Sequence, residues 1–221
     1  QFLGSGALAA VGSSYTLMTF LTSILLGLCM GSGALFSIRY GEKRMESLRE
    51  SMGASFILIL AAAVVLNLLV FGLMDQILYL LQVPEEIEPL MREYLWWIFW
   101  GILATFLYNY FASLLRAVGN SVVPLLFLAV CAVLNVVLDL WFVLGFSWGV
   151  KGAAIATVIS QYVSGIGITV YTWFRLPEFR LKLRYLYPKK EVLQQIAQFS
   201  FLTSLQQSVM NLGILMVQGL V

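Results

Sequence analysis

Long stretches without a charged residue divide this chain, and they restrict the solvent in which it can fold. No charged residue occurs before Arg39, and five further runs of 22 to 30 residues are also free of charge. A helix that crosses a bilayer needs about 20 mostly apolar residues, and its backbone groups must be satisfied within the segment. The pattern therefore predicts an all-α, polytopic transmembrane helix bundle with six spans, near 10–37, 53–74, 94–115, 122–144, 151–174 and 194–221.

The composition excludes several classes of function. Only 11% of the 221 residues are charged, against roughly 25% in soluble domains, which excludes a soluble enzyme and a nucleic-acid binder. Histidine is absent, so His-ligated metals and Ser-His or Cys-His nucleophile pairs are excluded as well. Cys29 and Cys131 lie deep in apolar runs and do not suggest a disulfide framework. We expect no enzyme activity, no catalytic residue and no cofactor.

The charged residues between the apolar runs predict the topology. Eleven of the thirteen Lys and Arg lie in or beside the loops at 39–50, 116–121 and 175–191, whereas the loop at 75–93 is mostly acidic. Because basic loops tend to remain in the cytoplasm, these three loops are predicted to be cytoplasmic. The longest of them, 175–191, is interpreted as a solvated connector between two bundles.

The ends of the chain suggest that it is a fragment. On this topology Gln1 lies on the outer side, and the chain stops at Val221 within an apolar run. We expect at least one helix before Gln1 and an unknown number after Val221.

Asp139 is the one acid that lies inside a predicted span. Placing an Asp at the centre of a membrane helix costs about 2.5–3.5 kcal/mol on insertion scales, so such a residue normally faces a cavity or a partner. Asn135 lies one turn earlier on the same face, and Thr157 should reach a similar depth after the turn at 145–150. Their oxygens suit a cation such as Na⁺, or a proton site. The alternative is a buried polar contact that joins two helices.

Two other patterns concern packing and the membrane interface. Gly152, Ala156, Ser160 and Ser164 recur every four residues, which predicts a flat face for close helix packing. Trp141 belongs to a group of aromatic residues on the outer side. It is interpreted either as part of the interfacial belt or as an aromatic surface for cationic ligands.

Three motifs between Arg116 and Gln161 resemble a known family. They are Arg116-Ala-Val-Gly119-Asn120-Ser121-x-x-Pro124, Asn135-x-x-x-Asp139, and Gly149-x-x-Gly152-Ala153-Ala154-x-Ala156-Thr157-x-x-Ser160-Gln161. Together with Ala7-Leu-Ala-Ala-Val-Gly12 and Ser37-x-x-x-Gly41, they are similar to bacterial multidrug and toxic compound extrusion (MATE) transporters.

The resemblance implies twelve helices in two six-helix lobes, of which this chain would hold about half. Residues 1–174 would be the second to sixth helices of the N-terminal lobe. Residues 175–191 would be the cytoplasmic loop between the lobes, and 192–221 would be the start of the seventh helix.

The resemblance also implies a first-lobe cation site. It would fall on Asp139, Asn135, Thr157 and Asn109, with Na⁺ or H⁺ as the coupling ion. Simple counting places Asn109 nearer the inner end of its helix than the other three. The family's site also uses an Asp on the first helix, which would precede Gln1. Two further residues, Trp141 and Gln161, are assigned to the substrate cleft.

The function implied is export of cationic, amphipathic compounds in exchange for Na⁺ or H⁺ by alternating access. The expected setting is the lipid bilayer of the bacterial inner membrane, with the full-length protein acting as a monomer and without nucleic acid. The alternative is a lipid-linked saccharide flippase of similar architecture, which should carry several cationic side chains along its cleft. A channel or a structural subunit is disfavoured because no repeated filter or charged ring occurs.

Overall fold

The computed structural model describes residues 5–80, 86–187 and 189–218, and no strand occurs in these ranges. Parts of the predicted outer loop (81–85), of the basic loop (188) and of the last span (219–221) lie outside the described residues, as do residues 1–4. The helices α1 to α8 are Ser5–Gly41, Met45–Gly72, Met74–Leu80, Glu88–Ile98, Ile102–Ala117, Val122–Asp139, Gly149–Arg175 and Lys190–Gln218. The all-α fold class is confirmed.

Five helical stretches in the described part are long and apolar enough to cross a membrane. They are Leu21–Gly41, Met45–Gly72, Glu88–Ala117, Val122–Gly145 and Gly149–Arg175, which correspond to the first five predicted spans. The sixth prediction, 194–221, is helical as α8 but is not among these five. Five glutamines between 194 and 207 make this helix more polar than those five stretches.

The turn between α5 and α6 explains the residues of the first motif. Gly119 has a φ of +88°, a conformation that a residue with a Cβ adopts only under strain. The Asn120 side chain accepts a hydrogen bond from the Val123 backbone N–H at 3.2 Å, which satisfies a free donor in the first turn of α6. Pro124 stands in that same turn, where its missing N–H is tolerated. The motif therefore encodes a tight reversal between two spans.

The apolar core is centred on α5 and the neighbouring faces of α1 and α2. Tyr110 is completely buried there, and its hydroxyl donates to the Met52 carbonyl oxygen at 2.7 Å. Its ring meets those of Phe36, Phe56 and Phe111 edge-on at centroid distances of 6.1, 5.2 and 5.1 Å. The phenol can be buried because its only polar atom has a partner.

Helix α7 packs closely through small residues, as the four-residue repeat predicts. Gly152, Ala156, Ser160 and Ser164 are all buried, and the Ser164 hydroxyl donates to the Phe127 carbonyl oxygen on α6 at 3.1 Å. Gly165 lies directly against α5, because a Cβ at this position would come within 2.7 Å of the Ala104 carbonyl oxygen. This face is a packing surface.

Helix α8 runs alongside α1. Thr203 on α8 donates its hydroxyl to the Gly27 carbonyl oxygen at 2.8 Å, and a Cβ added at Gly31 would overlap the backbone of Ser200. The two helices can approach this closely because small residues face one another at the crossing.

The basic loop differs from its prediction in extent and in environment. Arg175 ends α7, while Lys190 and Glu191 begin α8, so the connection itself covers residues 176–189. It carries two short 3-10 turns, Pro177–Phe179 and Leu183–Tyr185. Instead of being a solvated connector, it packs on the bundle, because the side chains of Phe179 and Tyr185 are buried. Tyr185 lies against Gly53 in the N-terminal part of α2.

A substitution at Gly165 tests the packing of α5 against α7. We expect Gly165→Ala to destabilise the protein by about 1–3 kcal/mol, because the Ala104 backbone carbonyl cannot move out of the way. The measurement is thermal unfolding of the purified protein in detergent. Gly72→Ala is the matched control, since no atom lies within 4 Å of a Cβ there. Equal stability of the two variants would contradict this account.

Candidate functional site

A hydrogen bond joins the polar residues of α6 and α7 within the membrane. The Asn135 amide Nδ2 donates to Thr157 Oγ1 at 3.1 Å, and the Thr157 hydroxyl donates to the Ala153 carbonyl oxygen at 3.0 Å. Both side chains are partly buried. The structure thus brings together two of the residues predicted for a cation site.

Asp139 ends α6 one turn beyond Asn135. Its Oδ1 atom is buried and has no hydrogen-bond partner among the described residues. A buried carboxylate oxygen without a donor is unfavourable, so this position is suited to a proton or a cation.

A π-helical turn, Leu140–Gly145, follows Asp139 directly. Such turns widen the helix by one residue and frequently occur at functional sites. Nothing in the apolar sequence of this segment distinguishes it from an ordinary helical turn, so sequence reasoning missed it.

Asn109 forms its hydrogen bond within its own helix. Its side-chain amide donates to the Thr105 carbonyl oxygen on its own helix at 2.8 Å. No hydrogen bond links it to Asn135, Asp139 or Thr157 in the part of the chain that the structure describes.

Gln161 follows Thr157 by one turn on α7 and faces a break in the third span. Its Oε1 atom is buried without a hydrogen-bond partner among the described residues. It lies against Gly101, where an added Cβ would overlap it. Gly101 closes the 3-10 turn Phe99–Gly101 between α4 and α5. The sequence gives no local signal for this contact, because Gly101 and Gln161 are 60 positions apart.

Trp141 is exposed on the surface of the bundle, within an aromatic cluster. Its side chain is 57% exposed, and its ring stacks on Phe146 at a centroid distance of 5.6 Å. Phe142 and Trp148, 5.2 Å apart, extend the cluster. This arrangement suits the membrane interface, where aromatic rings meet both lipid and water.

A groove of about 630 Å³ opens at the end of the bundle where α4 begins. Phe71 and Trp96 form one wall, with ring centroids 4.8 Å apart. Asp75 is paired there with Arg92. The remaining lining includes Glu93 and Trp97, so the groove combines aromatic surface with carboxylates.

Comparison with known proteins identifies the family. The model of the MatE family matches residues 1–141. The chain belongs to the MatE family. The resemblance inferred from the three motifs is therefore confirmed.

Two curated relatives are similar over nearly the whole chain. The probable multidrug resistance protein YpnP of Bacillus subtilis is 31% identical over 222 residues, covering 100% of this chain and 49% of its own length. The probable multidrug resistance protein NorM of Thermotoga maritima is 29% identical, covering 95% and 46%. The chain spans about half the length of the curated relatives it matches.

Solved structures show the same fold. A crystal structure of MATE in the bent conformation aligns with a TM-score of 0.90 at 26% identity, covering 96% of this chain and 48% of that one. An inward-facing multidrug resistance MATE transporter of the MOP superfamily gives 0.87 at 26% identity, covering 93% and 47%. The MatE chain is therefore a multi-pass membrane protein with about half of a MATE transporter fold.

A double-mutant cycle tests the bond between α6 and α7. We expect Asn135→Ala and Thr157→Val to be coupled by about 0.6 kcal/mol, and at most about 1.7, as measured for other hydrogen bonds within membranes. The measurement is the free energy of unfolding of both single variants and the double variant. In the control, Thr157→Val is replaced by Thr169→Val, because Thr169 binds the Gly165 carbonyl oxygen on its own helix at 2.7 Å. Equal coupling in the two cycles would show that the bond contributes nothing specific.

Proposed function

We propose that this chain is part of a multidrug efflux antiporter that exports cationic, amphipathic compounds in exchange for Na⁺ or H⁺ by alternating access. The observation that carries the proposal is the buried Asp139 Oδ1 in a membrane helix, which has no hydrogen-bond partner among the described residues. It lies one turn from the Asn135–Thr157 hydrogen bond. The proposal is supported by the family, whose relatives YpnP and NorM are named as probable multidrug resistance proteins.

The proposed coupling site consists of oxygen atoms on adjacent turns of α6 and α7. The Asn135 amide nitrogen donates to Thr157, so its carbonyl oxygen is the atom available for a cation. Thr157 donates to Ala153 and accepts from Asn135, which leaves one lone pair on its oxygen. Asp139 supplies the charge. With Na⁺ these atoms act as ligands, and with H⁺ the carboxylate takes the proton.

Occupation of this site changes which side of the transporter is open. Moving a two-state equilibrium from 1:99 to 99:1 requires about 5.5 kcal/mol of differential binding. The ion must therefore contact Asp139 much better in one state than in the other. Since Asp139 Oδ1 has no donor in the part of the chain that the structure describes, it can gain such a contact.

The proposed substrates are organic cations with apolar bodies. The groove at the start of α4 offers Phe71, Trp96 and Trp97 together with Glu93, whereas Asp75 is already paired with Arg92 there. Aromatic faces attract cations, and the Glu93 carboxylate supplies the opposite charge. Trp97 already holds such a contact, since the Lys151 Nζ atom lies 5.1 Å from its ring centroid.

The proposed setting follows from the topology. The chain lies in the bacterial inner membrane, with the loops at 39–50, 116–121 and 175–191 in the cytoplasm and the full-length protein a monomer. Residues 1–174 belong to the first lobe, residues 176–189 connect the lobes, and α8 is the seventh helix. A lipid-linked saccharide flippase is not favoured, because the predicted spans carry a single cationic side chain, Lys151 at the first position of the fifth span. The curated relatives reported above are also named for multidrug resistance.

Replacement of Asp139 tests the coupling site. We expect Asp139→Asn in the full-length protein to abolish ion-driven ethidium efflux from reconstituted vesicles while expression stays normal, because the amide carries no negative charge and does not bind or release a proton at physiological pH. Glu86→Gln is the control, since Glu86 is an exposed acid outside the spans predicted from sequence. Normal ethidium efflux by Asp139→Asn would refute the proposal.

Replacement of Thr157 tests whether its oxygen takes part. We expect Thr157→Val to raise the coupling-ion concentration for half-maximal efflux about tenfold, equivalent to one lost contact of about 1.4 kcal/mol. Thr157→Ser keeps the oxygen and should behave like the unaltered protein. The measurement is efflux under an imposed Na⁺ gradient and, separately, an imposed pH gradient, which also identifies the ion. Equal behaviour of the Val and Ser variants would remove Thr157 from the site.

A further inference from the structure

The connection between α7 and α8, which we call the linker (described residues 176–187 and 189), is bound to the inner end of α2. Arg184 forms an ion pair with Glu46, and the Tyr185 hydroxyl donates to the second oxygen of the same carboxylate at 2.9 Å. Both linker residues lie in the 3-10 turn Leu183–Tyr185. One carboxylate of α2 thus holds two side chains that are almost 140 positions away in sequence.

Two more contacts extend this attachment along α2. The Lys189 ammonium donates to Glu50 at 2.6 Å, and this hydrogen bond raises the pKa of Lys189 above its ordinary value. Arg49 donates through Nε to the Glu178 carbonyl oxygen at 3.1 Å. The linker is therefore held at both of its ends as well as at its centre.

Burial makes the attachment stronger than a set of surface ion pairs, which by themselves stabilise little. Tyr185 is 6% exposed and Phe179 is 2% exposed. The Tyr185 backbone carbonyl occupies the space beside Gly53, where a Cβ would overlap it. The Phe179 ring lies 6.2 Å from that of Tyr40 on α1. Two aromatic side chains thus anchor the linker to α1 and α2.

The first half of α8 is attached to the same helices. Arg39 donates to the Ser51 hydroxyl, to the Ser47 carbonyl oxygen at 2.5 Å and to Gln195 Oε1 at 2.6 Å. One guanidinium therefore connects α1, α2 and α8.

Apolar and backbone contacts continue this attachment along α8. Val192 and Ile196 are buried in one cluster with Leu35 and Ala54. Beyond them, Ser200 and Ser204 lie against Gly31 and Gly27.

We infer that the linker and α8 as far as Ser204 form one rigid unit with α1–α7 throughout the transport cycle. This inference rests on the proposed alternating-access function. The hinge about which the two lobes move then lies on the C-terminal side of Ser204, and not in the loop that connects the lobes.

Spin labels measure the distance between the linker and the α1–α2 turn directly in the full-length protein. Glu42→Cys and Lys182→Cys place labels on exposed residues of the α1–α2 turn and the linker, in a background free of other cysteines. Pulsed electron paramagnetic resonance in lipid nanodiscs should give one narrow distance distribution, unchanged by Na⁺ or by a shift from acidic to alkaline pH. Gly53→Leu fills the space of the Tyr185 carbonyl and should displace the linker from α2. It serves as the reference for a detached linker, and its distance distribution should be broader. A distance that shifts with the ion, or a distribution as broad as the reference, would overturn the inference.

A cross-link tests the same point during transport. Glu50→Cys and Lys189→Cys are joined by a short bis-methanethiosulfonate reagent that a reductant cleaves. We expect no loss of ethidium efflux, because these residues do not separate during the cycle. If the cross-link abolishes ethidium efflux and the reductant restores it, the linker must detach during transport, and the inference is overturned. If neither the cross-linked nor the reduced protein exports ethidium, the proposed function fails. The spin-label distances still decide whether the linker stays bound.

Discussion

The absence of water from the bilayer core determines how this protein is built. Each polar group in a membrane helix must find a partner inside the protein, and most described side chains do so locally. The hydroxyls of Ser55, Ser160 and Thr172 donate to carbonyl oxygens four positions earlier on their own helices. Others connect helices, as Asn67 does by donating to the Phe99 carbonyl oxygen at 3.0 Å. The bundle is held together by such satisfied contacts and by apolar packing around Tyr110.

Among the described residues, three buried side-chain oxygens are exceptions to this rule, and they belong to Ser32, Asp139 and Gln161. Asp139 is the informative one, because it is the acid of the three. Its Oδ1 atom, which no described residue contacts through a hydrogen bond, lies at the end of α6, where the helix widens into the π-turn. The neighbouring Asn135 and Thr157 have already formed their own bond. A chain optimised only for stability would have no reason to keep an acid at this position. The unfavourable burial is understandable if the carboxylate exchanges partners during a cycle.

The sequence predicts the parts of this structure that depend on local patterns. Charge-free runs locate the first five spans, and the repeat from Gly152 to Ser164 locates a packing face. The contacts that the sequence misses are made between distant positions. The pairing of Glu46 with Arg184, and that of Gln161 with Gly101, depend on helices that meet only after the bundle has formed. For the same reason the basic loop looks like a solvated connector, since its buried Phe179 and Tyr185 carry no periodic signal.

Insertion into the membrane has to proceed while Gly27 and Gly31 are still uncovered. Thr203, which closes the contact with Gly27, is synthesised 176 residues later. At about 5–20 residues per second, this delay lasts roughly 9–35 s. Glycines spaced by four residues form a surface on which membrane helices dimerise. In the nascent chain, α1 therefore presents the uncovered Gly27–Gly31 face to other membrane helices until α8 arrives and covers it.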